Sequence, residues 1–181
     1  MINLKKLPAL RFLKLFVLVI VLSCSQSKKE IKKTTITKSG MNITNSYTYN
    51  NLDSVFLIKL KKWKEYSDLA EFLNLYKKTT PREALNNALE LKNLTKKAKD
   101  SNIIKTLKTP AFNARINVFE NEVLRLADMT YIPAISSQQV NKQIENIFST
   151  FNSLNSKIIA IYKKDKFNNS VKFDEVFKKI R

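Results

Sequence analysis

Hydrophobic residues recur every three or four positions after about residue 51, which is the spacing of one face of an α-helix. Four long helices are predicted. The first spans about residues 52–78, the second 81–104, the third 110–130, and the fourth runs from near 137 to at least 161. A short fifth helix is predicted near 171–180. The main stripes are Leu52, Phe56, Leu60, Trp63, Ser67, Ala70 and Leu73; Ala84, Ala88, Leu91, Thr95 and Ala98; Phe112, Ile116, Phe119, Val123, Leu126 and Thr130; and Val140, Ile144, Ile147, Phe151, Leu154, Ile158 and Ile161.

Cap signals mark where these helices begin. Thr80-Pro81 with Glu83 has the spacing of a capping box with proline at the first helical position, and Thr109-Pro110 repeats the proline start. Ser136 with Gln139 is a further capping box. The connections between helices are short, which favours antiparallel neighbours. The predicted fold is therefore all-α, an up-down-up-down four-helix bundle over residues 51–181 with a short C-terminal helix.

The first predicted helix carries lysines away from its apolar stripe, and Leu57 beside that stripe. These lysines are a candidate basic surface: Lys59, Lys61, Lys62 and Lys64. Trp63, Tyr66 and Tyr76 accompany them, and basic residues mixed with aromatics can bind nucleic acid or lipid head groups. Because Trp63 falls on the apolar stripe, we expect it in the core.

The N-terminus has the layout of a secretory signal: a basic start without acids, the apolar run Leu15–Leu22, and a small residue before Cys24. The apolar run is shorter than the roughly 20 residues that span a bilayer, which disfavours an uncleaved transmembrane anchor. Cleavage by the ordinary signal peptidase is the other alternative.

Val21-Leu22-Ser23-Cys24 resembles the lipobox of bacterial lipoproteins. The resemblance implies that diacylglycerol is attached to the Cys24 sulfur and that the chain is cut between Ser23 and Cys24, so residues 1–23 are the signal peptide. Acyl chains would then hold the protein on a membrane, each buried methylene contributing about 0.8 kcal/mol. Ser25, rather than aspartate, follows the cysteine, which by the same resemblance favours the periplasmic face of the outer membrane.

Residues 24–50 are predicted to be the lipidated cysteine and a flexible basic tether, because they are polar and lack a sustained hydrophobic period. The whole chain has a formal net charge of +18, and such a field attracts anionic surfaces. An anionic lipid or an envelope protein is the expected partner. Nucleic acid is not expected outside the cytoplasm. The alternative is that the lysines only make a helical surface soluble.

Composition argues against most catalytic chemistry. The chain has no histidine, one cysteine and one glycine, so histidine-held zinc or haem, imidazole triads and glycine-rich phosphate loops are excluded. No cofactor or metal is predicted, and the acids are expected to pair with lysines at the surface. The third helix carries two further polar groups: a candidate semi-buried ion network of Arg115, Glu122 and Arg125, and a candidate polar seam of Asn113, Asn117 and Asn121. A groove for a glycan or peptidoglycan is the functional interpretation of these groups, and the alternative is that both are ordinary features of a helix surface.

These observations favour a non-enzymatic, lipid-anchored helical domain that binds a protein partner or an anionic envelope component. The alternative function is a small bundle that holds a hydrophobic ligand between its helices, and it would require an apolar cavity.

Overall fold

The structure is a computed structural model that describes residues 38–102 and 104–170. The predicted signal peptide, Ser23, Cys24 and the short helix expected near 171–180 lie outside these residues. The described fold is mostly helical, in agreement with the all-α prediction, and also contains one pair of two-residue strands.

The helices are α1 (Ser54–Leu60), α2 (Lys64–Leu75), α3 (Pro81–Asn86), α4 (Ala88–Asp100), α5 (Pro110–Met129) and α6 (Ser137–Ser170). Short 3₁₀ helices are formed by Lys38–Asn42 and by Lys105–Leu107. Strand β1 (Asn45–Ser46) pairs antiparallel with β2 (Lys78–Thr79). Helix α5 packs against α6 and α4, and α4 also packs against α2.

The predicted cap signals are confirmed. Thr80 Oγ1 accepts from the Glu83 amide at 3.2 Å, while the Glu83 carboxylate accepts from the Thr80 amide at 2.8 Å. Because these hydrogen bonds favour the ionised carboxylate, the pKa of Glu83 is lowered, first by the backbone bond and then by the Thr80 hydroxyl. Thr109 caps α5 through the Phe112 amide, and Ser136 with Gln139 forms the third cap.

The apolar stripes of α4, α5 and α6 lie in one shared core, which confirms most of the pattern. Its aromatic centre joins Phe119 to Phe151 at 5.3 Å between ring centroids, and Tyr66 stacks on Phe151 at 6.0 Å. The largest fully buried side chains are Trp63, Tyr66, Tyr76, Phe112, Phe119, Phe151, Leu60, Leu69, Leu73, Leu91, Leu107 and Leu126.

Two of the predicted helices are each divided in the structure. The prediction of one helix over 52–78 was wrong, because the chain turns at Lys61–Trp63 and α2 restarts with a different face inward. Consequently Tyr66 and Leu69 are buried, whereas Ser67, placed on the predicted stripe, is exposed. The second predicted helix is divided at Asn87 and ends at Asp100 rather than near residue 104.

The predicted tether extends too far along the chain. Residues 38–50 pack against the helices, with Tyr49 8% exposed and its hydroxyl donating to the Ala70 carbonyl at 3.1 Å. Tyr47 donates to Asn141 Oδ1 at 2.8 Å. These aromatic side chains bury enough apolar surface to order a polar segment, so the folded part of the chain includes residues before the predicted boundary near residue 51.

Candidate functional site

The four predicted lysines lie around the turn between α1 and α2. Lys59, Lys61, Lys62 and Lys64 are all exposed. The turn is fixed from beneath by Trp63, which is fully buried and donates from Nε1 to the Ala98 carbonyl at 2.9 Å. Since Leu60 and Trp63 both point into the core, the lysines between and beside them face solvent.

Lys59 is also held against the far part of α6. Its Nζ lies 4.9 Å from the ring centroid of Tyr162, within the range of a cation–π contact, and Phe56 lies 6.4 Å from the same ring. No ion pair within residues 38–102 and 104–170 involves any of the four lysines. They therefore make no direct ion pair with the described acids. The pKa of the neighbouring Glu65 carboxyl is lowered, first by hydrogen bonds with its own backbone amide and with Ser101, and in smaller part by the charge of Lys64.

Apolar side chains accompany these lysines at the surface, which the sequence pattern did not predict. Val55 is 62% exposed, Ile58 is 73% exposed, and Leu57, expected beside the apolar stripe, is 48% exposed. We call this group the corner surface, and it consists of Val55, Leu57, Ile58, Lys59, Lys61, Lys62 and Lys64. It combines cations with apolar area, which together suit an anionic amphiphile.

The fold brings more lysines to the same end of the molecule. Lys163 and Lys166 are exposed on α6 just beyond Tyr162, which contacts α1. No local pattern would have placed them near Lys59, because they are about 100 residues away along the chain. Only the packing of α1 against α6 makes them neighbours of the corner surface.

The aromatic residues considered for stacking are buried in the core. Tyr66 donates to Asn155 Oδ1 at 2.7 Å and Tyr76 donates to the Ala84 carbonyl at 3.0 Å. Burial raises the pKa of both phenols, with a smaller contribution from Tyr49 in the case of Tyr66. Trp63, Tyr66 and Tyr76 are therefore part of the hydrophobic core, and their faces are not open to a nucleobase.

The ion network predicted on α5 forms only in part. Arg125 Nη1 lies 3.2 Å from Glu122 Oε1, and Gln143 on α6 donates from Nε2 to the Glu122 carboxylate at 2.8 Å. Arg115 is exposed and does not join them. Gln143 also donates to the Glu122 carbonyl at 2.7 Å, so this group joins α5 to α6.

The asparagine seam does not face the hydrophobic core. Asn113, Asn117 and Asn121 are all exposed on α5. Among the described residues, no group of three or more cysteine, aspartate or glutamate side chains is placed to hold a metal ion. The polar residues of α5 thus contribute to the surface and to one interhelical contact.

A surface cavity of about 540 Å³ lies beside α2 and α4, lined by Glu65, Asn93, Lys96, Lys97, Asp100 and Ser101. Its acids and bases are mixed, so it has no strong preference for one sign of charge. The corner surface carries the more distinct chemistry, since its exposed lysines make no salt bridge within the described residues.

Across residues 38–102 and 104–170, no helix combines the length and apolar character needed to cross a bilayer. Comparison of the chain with protein-family models, with curated proteins and with solved structures finds no match.

Proposed function

We propose that this protein is a lipid-anchored, non-enzymatic helical module that binds an anionic component of the cell envelope through the corner surface. The anchor is the lipid expected on Cys24, from the resemblance of Val21-Leu22-Ser23-Cys24 to a lipobox. The observation that carries the binding function is the set of exposed lysines that make no salt bridge within the described residues, together with exposed Val55 and Ile58. Ser25 favours the periplasmic face of the outer membrane.

We further propose that the helices form an up-down-up-down four-helix bundle in which α1–α2 and α3–α4 each act as one divided helix. The short connections support this arrangement, as do the contacts of α5 with α4 and α6. In such a bundle the turn between α1 and α2 lies within a divided helix. Near the break in a divided helix, side chains can face solvent that would face neighbouring helices if the helix were continuous.

The chemistry of the corner surface favours an anionic amphiphile over a neutral ligand. A lysine near a charged lipid surface contributes about 1 kcal/mol, and exposed aliphatic side chains add to this when they leave water. Lys59 is already positioned by Tyr162, so less side-chain entropy is lost when it binds. The alternative, a hydrophobic ligand between the helices, has less support because aromatic rings fill the centre of the core.

The binding test reverses the charge of the four corner lysines, changing Lys59, Lys61, Lys62 and Lys64 to glutamate. The matched control makes the same change in charge at exposed lysines elsewhere: Lys92, Lys96, Lys105 and Lys108. Each full-length protein is reconstituted in neutral phosphatidylcholine vesicles and mixed with fluorescent vesicles containing phosphatidylglycerol. Capture of the fluorescent vesicles is measured by flotation at low and high salt.

We expect the wild type and the control to capture anionic vesicles at low salt and to release them as salt rises. The corner variant should bind at least about 1,000-fold more weakly, because four lysines at about 1 kcal/mol each correspond to about 4 kcal/mol. Equal loss in both variants would mean that net charge alone is responsible, and would contradict the assignment of the surface. Selective loss of a cross-linked envelope protein, with vesicle capture unchanged, would instead favour a protein partner.

The anchor is tested separately. Cells fed labelled palmitate should label the wild-type protein and not Cys24→Ala, and the mature protein should begin at residue 24 by intact mass. Labelling of Cys24→Ala would contradict the proposed lipidation.

A further inference from the structure

The chain enters the described fold beside the start of α6. The Lys38–Asn42 segment lies against that end, where a Cβ on Gly40 would come within 3.0 Å of Ser137 Cβ and closer still to its Oγ. Arg82 in α3 donates from Nε to Asn42 Oδ1 at 2.8 Å. Lys38, the first described residue, therefore lies at the end of the fold where α6 begins.

An exposed apolar loop occupies the same end. Four consecutive residues, Tyr131-Ile132-Pro133-Ala134, are exposed between α5 and α6, with Tyr131 74% and Ile132 48% exposed. The loop is ordered by its backbone, because the amides of Tyr131 and Ile132 donate to the carbonyls of Asp128 and Met129 at 3.1 and 3.2 Å. Its apolar side chains are thus held outward by the fold.

The loop and the entering segment form one continuous surface. A cavity of about 400 Å³ between them is lined by Met41, Arg82, Ile132 and Pro133 among others, and Ile43 nearby is 60% exposed. We call this the entry surface, and it consists of Met41, Ile43, Arg82, Tyr131, Ile132 and Pro133. Exposed apolar side chains beside a shared cavity are typical of an interaction site, and tyrosine with aliphatic neighbours is typical of the membrane–water interface.

We propose that the entry surface lies in the interface of the membrane that carries the Cys24 lipid. This inference rests on the proposed lipidation. Fourteen residue steps separate Cys24 from Lys38, so covalent geometry limits their separation to about 50 Å. The entry surface is the exposed apolar surface beside Lys38, so docking there requires the least extension of the residues between Cys24 and Lys38. Arg82 at its edge adds a cation for the lipid phosphates.

The corner surface then lies away from the anchoring membrane. Twenty-five residues of α6 separate Ser137, beside Gly40, from Tyr162, beside Lys59, which is about 38 Å at 1.5 Å per residue. If the corner surface lay on the anchoring membrane, the residues between Cys24 and Lys38 would have to extend over most of that distance along α6. Docking through the entry surface needs no such extension and leaves the corner surface free for a second anionic component.

The test measures depth in the membrane at two exposed positions. Tyr131→Cys and the matched control Ile58→Cys, on the corner surface, are each labelled with a nitroxide in the full-length lipidated protein in phosphatidylcholine vesicles. We expect the label at 131 to be several-fold more accessible to oxygen relative to a water-soluble nickel chelate than the label at 58. Equal accessibility, or a deeper label at 58, would overturn the proposed orientation.

The number of nitroxides per molecule in the same samples shows whether Cys24 is lipidated. If Cys24 is lipidated, each variant takes up one nitroxide, whereas a free thiol at Cys24 would take up a second one and contradict the proposed function. A lipidated chain with a water-exposed label at 131 would contradict only the docking of the entry surface. A label at 131 that becomes immobile without any gain in oxygen accessibility would indicate contact with another protein molecule, and this outcome would also overturn the inference.

Discussion

A buried pair of polar side chains connects α2 to α6 and to the segment before α1, and its removal should reveal how firmly that segment is held. Tyr66 Oη donates to Asn155 Oδ1 at 2.7 Å, and Asn155 Nδ2 donates to the Asn50 carbonyl at 3.0 Å. Tyr66 and Asn155 are each only 2% exposed, so water cannot readily replace a lost partner. The perturbation is Tyr66→Phe, Asn155→Leu and the double variant.

The magnitudes follow from burial. Tyr66→Phe leaves Asn155 Oδ1 unpaired and should lower the free energy of unfolding by about 1–3 kcal/mol. Asn155→Leu leaves the Tyr66 hydroxyl unpaired and removes the donor to Asn50, so we expect a loss of about 2–3 kcal/mol. In the double variant, neither position 66 nor position 155 carries a polar side-chain group that lacks a partner. It should be more stable than the sum of the single losses predicts, by about 1–2 kcal/mol.

The assay is urea unfolding of the purified variants, followed by far-ultraviolet circular dichroism. Tyr76→Phe is the matched control, since its hydroxyl is also buried but donates to the Ala84 carbonyl and shares no partner with Asn155. Tyr76→Phe combined with Asn155→Leu should be additive within about 0.5 kcal/mol. If the stability losses of Tyr66→Phe and Asn155→Leu also added up within that limit, the buried hydrogen bond between the two side chains would not contribute to stability as argued.

Two further predictions concern the segment before α1. Gly40→Ala should lower the free energy of unfolding by about 1–3 kcal/mol, because the new methyl group would overlap Ser137; adding Ser137→Gly should restore most of the loss in thermal unfolding. Burial, aided by the charge of Glu145, raises the pKa of Tyr47 to about 12 from 10.0. The protonated phenol is thus favoured in the folded state, so its stabilisation is full below pH 10 and is lost as the pH rises toward 12. Tyr47→Phe should show a smaller loss of stability than wild type over that range, and identical alkaline profiles would contradict the assignment.

Several parts of the fold could be predicted from neighbouring residues because the signals are local. Thr80 with Glu83 and Thr109 with Pro110 mark helix starts through hydrogen bonds and dihedral angles within one turn, and both are present. The stripe of α6 from Val140 to Ile158 is buried as its spacing indicates. The absence of histidine likewise limits the possible chemistry whatever the fold.

The segment before α1 carries a weak periodic signal for its packing against the helices. Tyr47 and Tyr49 alternate with exposed Ser46, Thr48 and Asn50, which is the period of an extended chain lying on a surface. The stretch is too short and polar for this period to stand out. Its order depends on ring contacts with α6, including Tyr49 with Phe151 at 5.1 Å, and these connect residues about 100 positions apart.

The sequence by itself determined the helical class, three of the helix starts, the burial of α4 to α6 and the four candidate lysines. Only the tertiary structure decided where the first helix breaks. No glycine or proline lies at Lys61–Trp63, and the turn there is stabilised by burying the Trp63 indole against Ala98. Tertiary packing also exposed Val55 and Ile58 beside the lysines and separated the corner and entry surfaces along α6. Such juxtapositions depend on contacts between distant segments, and short-range periodicity carries no information about them.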